Sequence, residues 1–194
     1  MPTLTGTPTE TRILDAAERC MSRYGLRVSM RDVAAEAGIS RGSVYRYYAD
    51  RDALVAAVIE RTADRFVAAA AREVDAQRLL ADQVAAAAVF IRRHAGDEAL
   101  TLRLPGARES LLATLFGAGS ERLVERWDAF WLPRLAAAHA RGEIRADLDH
   151  RQAAEWIVRL MLSFAVLPSA VVDLDDPGAV AAFVRDHIVR GFAP

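Results

Sequence analysis

From near its start this chain repeats apolar residues at intervals of three and four, the period of an amphipathic helix. Ile13, Leu14, Ala17, Met21 and Tyr24 keep that period after Thr7-Pro8-Thr9-Glu10, where Thr7 can cap, Pro8 fits the first turn and Glu10 completes a capping box. Gly25 marks the end of this first helix. Ser29, with Asp32 three residues on, opens a short second helix with Val33, Ala34 and Ala37 on one side, and Gly38 stops it. Ile39 follows the turn, and Ser40 caps a third short helix to about Tyr47. Asp50 then caps a long fourth helix through Leu54, Val58, Ile59 and Phe66.

Longer helices are predicted beyond that point, over about 78 to 95, 107 to 116 and 120 to 141, with a break at Pro105-Gly106 and a turn at Gly117 to Gly119. Pro133 falls inside the third of these and should kink it, because it removes one backbone donor and crowds the preceding turn. Gly142 to Leu148 reads as a loop. Asp149 with Gln152 caps a helix carrying Ile157, Leu160, Met161 and Phe164 up to Pro168, and Asp176-Pro177 opens a last one to about Gly191. The pattern predicts an all-α chain of about nine helices, with no internal repeat and no low-complexity linker.

Composition agrees with that prediction. Hydrophobic residues make up 53% of the 194 positions, and alanine far outnumbers the β-branched types, so summed propensity favours helix throughout. The formal net charge of -1 excludes a protein coated in positive charge, though a local basic patch is enough to hold DNA. All 25 basic residues are arginine, a pattern that suits phosphate and guanine recognition and also suits a GC-rich genome. The single cysteine, Cys20, excludes an internal disulfide and a cysteine zinc site, and it reads as a packed thiol. Residues 1–8 lack the basic and apolar regions of a signal peptide, and no apolar run reaches the roughly 20 residues of a membrane span. A cytoplasmic protein without a membrane partner is expected.

The segment from Met30 to Tyr48 places two short helices around the Gly38 turn, with small or apolar residues where they must cross, which is helix-turn-helix spacing. The second of these helices offers Ser40, Arg41, Gly42 and Ser43 in its first turn, short or donor-rich groups able to enter a major groove. Its far end offers Tyr45, Arg46 and Tyr47 toward phosphates.

On these residues the chain resembles the tetracycline-repressor (TetR) family over roughly positions 8 to 55, through Ala34, Ala37-Gly38, Ser40, Tyr45 and Asp50 to Leu54. Tyr48 stands where the family usually has phenylalanine and Arg51 where it usually has lysine; neither change removes the packing or the cation. The resemblance implies a DNA-binding domain over residues 1–52 and a helical ligand-binding and dimerisation domain over 53–194, joined by the long fourth helix. It implies Ser40, Arg41 and Ser43 at or near base edges, and Ser29, Tyr45, Tyr47 and Arg51 at phosphates, with Arg31 and Arg27 as further cations. It also implies a homodimer whose last two helices pair across a two-fold axis, so that the operator is a near-palindrome of double-stranded DNA. Ala153, Ala154, Ile157 and Met161 form one stripe for that seam, and Val180, Phe183, Val184 and His187 another.

Two other classes compete with this resemblance. An enzyme finds little support, because His94, His139, His150 and His187 lie in separate elements, and neither a phosphate loop nor a Gly-x-Ser-x-Gly elbow occurs. No cofactor is expected. A DNA binder without an effector is the more serious alternative. Against it stand Phe90, Phe116, Trp127, Phe130 and Trp131, more aromatic mass than a spacer requires, though each also reads as core. Phe90, Trp127, Phe130 and Trp131 are therefore expected to line a site for a small hydrophobic effector, with Arg93 and His94 as polar anchors. By family behaviour the effector releases a repressor from DNA.

Overall fold

The computed structural model describes residues 7–94 and 120–194. The predicted helix at 107 to 116, the Pro105-Gly106 break, the Gly117 to Gly119 turn and Phe116 lie outside the described residues. Within them the chain is all helical, with eight α-helices and no strand. These are α1 (Pro8–Tyr24), α2 (Met30–Ala37), α3 (Arg41–Tyr47), α4 (Arg51–Asp75), α5 (Leu80–His94), α6 (Ser120–Ala140), α7 (His150–Val166) and α8 (Pro177–Phe183). The chain divides into two compact units between Arg65 and Phe66, so α4 gives its first part to one and its last part to the other.

The first unit closes around one core. Ile13, Ala16, Ala17, Cys20 and Met21 of α1 meet Val33, Ala34 and Ala37 of α2, Val44 of α3, and Leu54 and Val58 of α4. Each N-cap side chain read from the sequence accepts its bond, but the expected Thr7–Glu10 box is only half made, since the Glu10 carboxylate takes the Tyr48 hydroxyl instead. Thr7 Oγ1 accepts from Glu10 N–H at 3.3 Å, and Asp50 Oδ1 accepts from Ala53 N–H at 2.8 Å. Ser29 and Asp32 form a reciprocal box, with Asp32 N–H donating to Ser29 Oγ at 3.2 Å and Ser29 N–H to Asp32 Oδ2 at 3.3 Å. Burial pushes the Cys20 thiol up from its ordinary range, as a packed sulfur requires.

The second unit is built on larger side chains. Helix α5 buries Leu80, Val84, Ala87, Ala88, Phe90 and Ile91, and it packs against α7 and α8. Helix α6 runs unbroken through Pro133 and buries Phe130, Trp131, Leu135 and Ala138, an i, i+1, i+5, i+8 stripe. The 142–148 loop is as expected, opened by Gly142 in the left-handed region at φ 73. Glu143 of that loop caps α5 by accepting from Leu80 N–H at 2.8 Å, and the Arg141 guanidinium beside it holds its carboxyl below the usual range. The last helix is shorter than its pattern suggested. After Phe183 the backbone widens into a π turn over Val184–Ile188, then a short 3-10 turn over Arg190–Phe192. Val184, Ile188 and Val189 of this stretch are all buried.

Candidate nucleic-acid interface

The turn between α2 and α3 fixes where α3 points. Gly38 takes the left-handed conformation at φ 64 and ψ 37, its N–H donating to Ala35 O at 3.2 Å, while Ile39 N–H reaches Ala34 O at 3.1 Å. This double closure ends α2 within one residue, and a β-carbon at Gly38 would be strained by the backbone alone. Ser40 immediately restarts the chain as a helix, accepting from Ser43 N–H at 3.1 Å, with the two hydroxyls 2.9 Å apart.

Val44 anchors α3 in the core, and most of the remaining surface of the helix is exposed. Ser40, Arg41 and Gly42 lie on the open first turn, with Ser43 half-buried behind them. Arg41 Nη2 donates to the Tyr45 hydroxyl at 3.1 Å one turn on, its guanidinium 5.3 Å from that ring's centre. The pair holds a flexible cation over an exposed aromatic on the outward face. Gly42 has an ordinary backbone, and a β-carbon there would meet only Ser40 Oγ at 3.9 Å.

The two neighbouring tyrosines do different work. Tyr47 is half-buried and accepts from the Thr7 hydroxyl at 3.4 Å, and this contact to the cap of α1 lowers its phenol from the ordinary value. Tyr48 faces inward, its hydroxyl donating to Glu10 Oε1 at 3.5 Å, with burial foremost in pushing its phenol up to about 12. The position where phenylalanine is usual thus keeps its packing role and finds a carboxylate for the added oxygen.

The remaining expected contacts are placed less freely. The Ser29 hydroxyl is occupied by its capping box, donating to Asp32 Oδ2 at 2.6 Å. Arg51 is exposed at the start of α4, but its Nε donates to Val28 O at 3.2 Å and its Nη1 meets Asp52 at 2.7 Å. Arg27 and Arg31 are exposed. A charge network that sequence reasoning missed ties α1 to α4. The Arg61 guanidinium meets Asp15 and Glu18 at 2.8 Å each, and Arg65 joins it on Glu18. Its sequence signal, opposite charges at helical spacing on two helices, becomes readable only once the helices are known to touch.

In the second unit the expected effector residues form two groups with no ring contact between them among the described residues. Phe90 meets Phe66 edge-on at 5.2 Å, and its ring lies 4.2 Å from that of His94 at a tilt of 35°. His94 Nδ1 lies 2.8 Å from Phe90 O, and Arg93 is paired with Glu73, so both expected anchors have partners. The other group lies on α6, where Phe130 stands edge-on to Trp127 at 5.8 Å and to Trp131 at 5.1 Å. Buried in this unit, the Nε1 atoms of Trp127 and Trp131 and the Oε1 of Gln83 have no hydrogen-bond partner among the described residues.

Part of the expected subunit seam is already covered within one chain. Ala153, Ala154, Ile157, Met161, Val180 and Val184 are each at most 2% exposed in the single chain, because the stripe seats α7 and α8 on their own protomer's core. A side chain with no surface left has none to offer a partner. Phe183 and His187 keep some exposure, their rings stacked at 4.6 Å, and the outer side of α7 presents Trp156 at 48%. Among the described residues no three His, Cys, Asp or Glu side chains are grouped to hold a metal ion, and no helix is long and apolar enough to cross a membrane.

Comparison with known proteins agrees with this geometry. The model of the family described as bacterial regulatory proteins, tetR family, matches residues 13–58, which span α1 into α4. An uncharacterized HTH-type transcriptional regulator of Mycobacterium bovis is 30% identical over 192 residues, covering 93% of this chain and 92% of that one. The HTH-type transcriptional regulator UidR of Escherichia coli is 25% identical, over 92% and 88% of the two chains. Among solved structures, Salmonella enterica GusR superposes with a TM-score of 0.67 at 23% identity, over 97% of this chain and 98% of that one, a likeness of fold.

Proposed function

The chain belongs to the tetR family of bacterial regulatory proteins, and from that premise we propose that it is a cytoplasmic, ligand-responsive repressor rather than an enzyme. It binds a near-palindromic operator in double-stranded DNA as a homodimer and leaves it when a small hydrophobic effector enters the second unit. The observation that carries this reading is the first turn of α3. Its exposed Ser40, Arg41 and Gly42 are held outward by the Gly38 closure and the Ser40 cap, and the core reaches only Val44 behind them.

In this reading Arg41 and Ser43 meet base edges, Tyr45 and Tyr47 meet phosphates, and Arg51 supplies a phosphate cation from the start of α4 after exchanging its Asp52 contact. The domain boundary falls near residue 52 for DNA contact, while α4 carries displacement onward from the effector site. Both half-sites must be met together, so a shift of α4 changes affinity, and operator must weaken effector by the same factor. The dimer forms through the outer faces of α7 and α8, where Trp156, Phe183 and His187 keep surface.

Selection of bound duplexes from random DNA by the whole protein tests the central claim, and recovery of no two-fold sequence rejects it. On the selected duplex, Arg41→Ala costs about 1–3 kcal/mol and relaxes preference at one base per half-site. Arg51→Ala weakens all sequences alike and lowers the salt slope by about one. Titrations at two salt concentrations, on selected and scrambled DNA, separate the two roles; unchanged preference in Arg41→Ala overturns the base-reading assignment.

A further inference from the structure

Resting on the effector reading above, we propose that the second unit binds its effector through a neutral oxygen acceptor, a ketone, ester or amide carbonyl, held by the indole N–H groups of Trp127 and Trp131. The two residues are four apart on α6, so they sit one turn above the other on a single face. Trp131 is 0% exposed, and its Nε1 has no acceptor among the described residues. The Nε1 of Trp127 is buried and equally unpartnered, although its residue retains some surface. A buried indole N–H ordinarily finds a partner, and two such donors on adjacent turns are complementary to an oxygen with two lone pairs.

The surroundings specify the rest of the molecule. Phe130 stands edge-on to both indoles, so what accompanies the oxygen is apolar and flat enough to lie against aromatic rings. The cation next along this face is Arg134, but its guanidinium lies 3.8 Å over the Phe130 ring and is bound to Asp75 at 2.7 Å. An incoming carboxylate would have to compete with Asp75 for that charge, and burying it otherwise unpaired is costly. A neutral carbonyl avoids that cost and still satisfies both donors.

Three probes of nearly the same shape test this: acetonaphthone, ethylnaphthalene and naphthoate, which carry a carbonyl, no acceptor and a carboxylate. The full-length protein has three tryptophans, and the 48% exposed Trp156 is an internal control. In proton–nitrogen spectra of the indole groups, acetonaphthone should move the Trp127 and Trp131 signals downfield and leave Trp156 in place. It should bind at least about tenfold more tightly than either other probe, the worth of a hydrogen bond left unmade. Trp131→Phe should bind ethylnaphthalene as before and lose most of the preference for the ketone; Trp127→Phe serves equally if that variant does not fold. Equal affinities for ketone and hydrocarbon, unmoved indole signals on ketone binding, or tightest binding by naphthoate each overturn the proposal while leaving an effector site. Failure of all three probes to bind also overturns the proposal, whereas the effector reading falls only if operator binding responds to no small molecule.

Discussion

The two units of this chain handle polar groups in opposite ways. In the first, serine, threonine and aspartate side chains close the helix starts, Tyr48 finds Glu10, and Arg61 pairs with two carboxylates although its buried Nη2 lacks a well-directed hydrogen bond among the described residues. The unpacked side of α3 keeps Arg41, Tyr45 and Arg46 exposed. In the second, an amide oxygen and two indole N–H groups are buried without a hydrogen-bond partner among the described residues, the indoles beside the Phe130 ring. A unit that must present a rigid surface to a long, charged partner fits the first arrangement. A unit that must take a small molecule inside fits the second.

The strongest way to break this contrast is to remove the largest buried side chain of the second unit. Trp131→Ala deletes a residue with no exposed surface and should cost about 3–5 kcal/mol of stability. Urea unfolding followed by circular dichroism checks it. A loss below about 1 kcal/mol would mean that the aromatic stripe of α6 is not core at all.

Next in size is an effect on assembly rather than folding. Trp156→Arg puts a charge on the half-exposed outer side of α7, where it should change folding stability by no more than about 0.5 kcal/mol. The same charge in a desolvated seam between copies should leave monomers in sedimentation at micromolar protein. A dimer that persists would move the seam elsewhere.

The position of the seam is hard to read from sequence for a physical reason. An alanine-rich stripe such as Ala153, Ala154, Ile157 and Met161 marks the side of a helix that packs closely, but its spacing is the same whether the neighbour is the same chain or another copy. Only the tertiary arrangement, with α5 covering the stripe, decides. In the first unit the informative signals are local. Ser29 and Asp32, Gly38 and Ser40 act within four residues of themselves, so caps, turn and helix order were readable without knowing the fold. Tyr48 with Glu10 and Tyr47 with Thr7 were not, since each pair lies about forty positions apart in sequence. The same holds for the π turn after Phe183, which no local motif announces.

The tyrosine pairs supply a smaller, sharper test inside the first unit. Tyr48 is pushed up to about 12 from an ordinary 10.0, so the fold favours the neutral phenol. The stability it contributes is fully present below pH 10.0 and is lost as pH rises toward about 12. Tyr47, held down by the Thr7 hydroxyl, should ionise ahead of an ordinary tyrosine. Phenolate absorbance should therefore show an early phase removed by Tyr47→Phe and a late phase removed by Tyr48→Phe. Loss of the late phase should accompany reduced alkaline unfolding; a late phase that survives Tyr48→Phe contradicts the inward placement.

The smallest expected change in stability is also the most discriminating for function. Gly42 has an ordinary helical backbone, and a β-carbon there reaches only Ser40 Oγ at 3.9 Å, so neither conformation nor packing calls for glycine. Glycine inside a helix costs up to about 1 kcal/mol relative to alanine, which makes Gly42→Ala neutral or slightly stabilising. Gly38 in the adjacent turn is the reverse case, since its left-handed backbone makes any side chain strained before DNA is considered. If the open first turn of α3 lies against DNA, the added methyl group at residue 42 meets base edges or the sugar backbone and weakens binding while leaving the melting temperature unchanged or raised. Thermal melting and titration against the selected duplex, run on the same preparation, read the two effects separately. Undiminished operator affinity in Gly42→Ala would mean that this turn stands clear of the groove, and the base contacts assigned to Arg41 and Ser43 would fall with it.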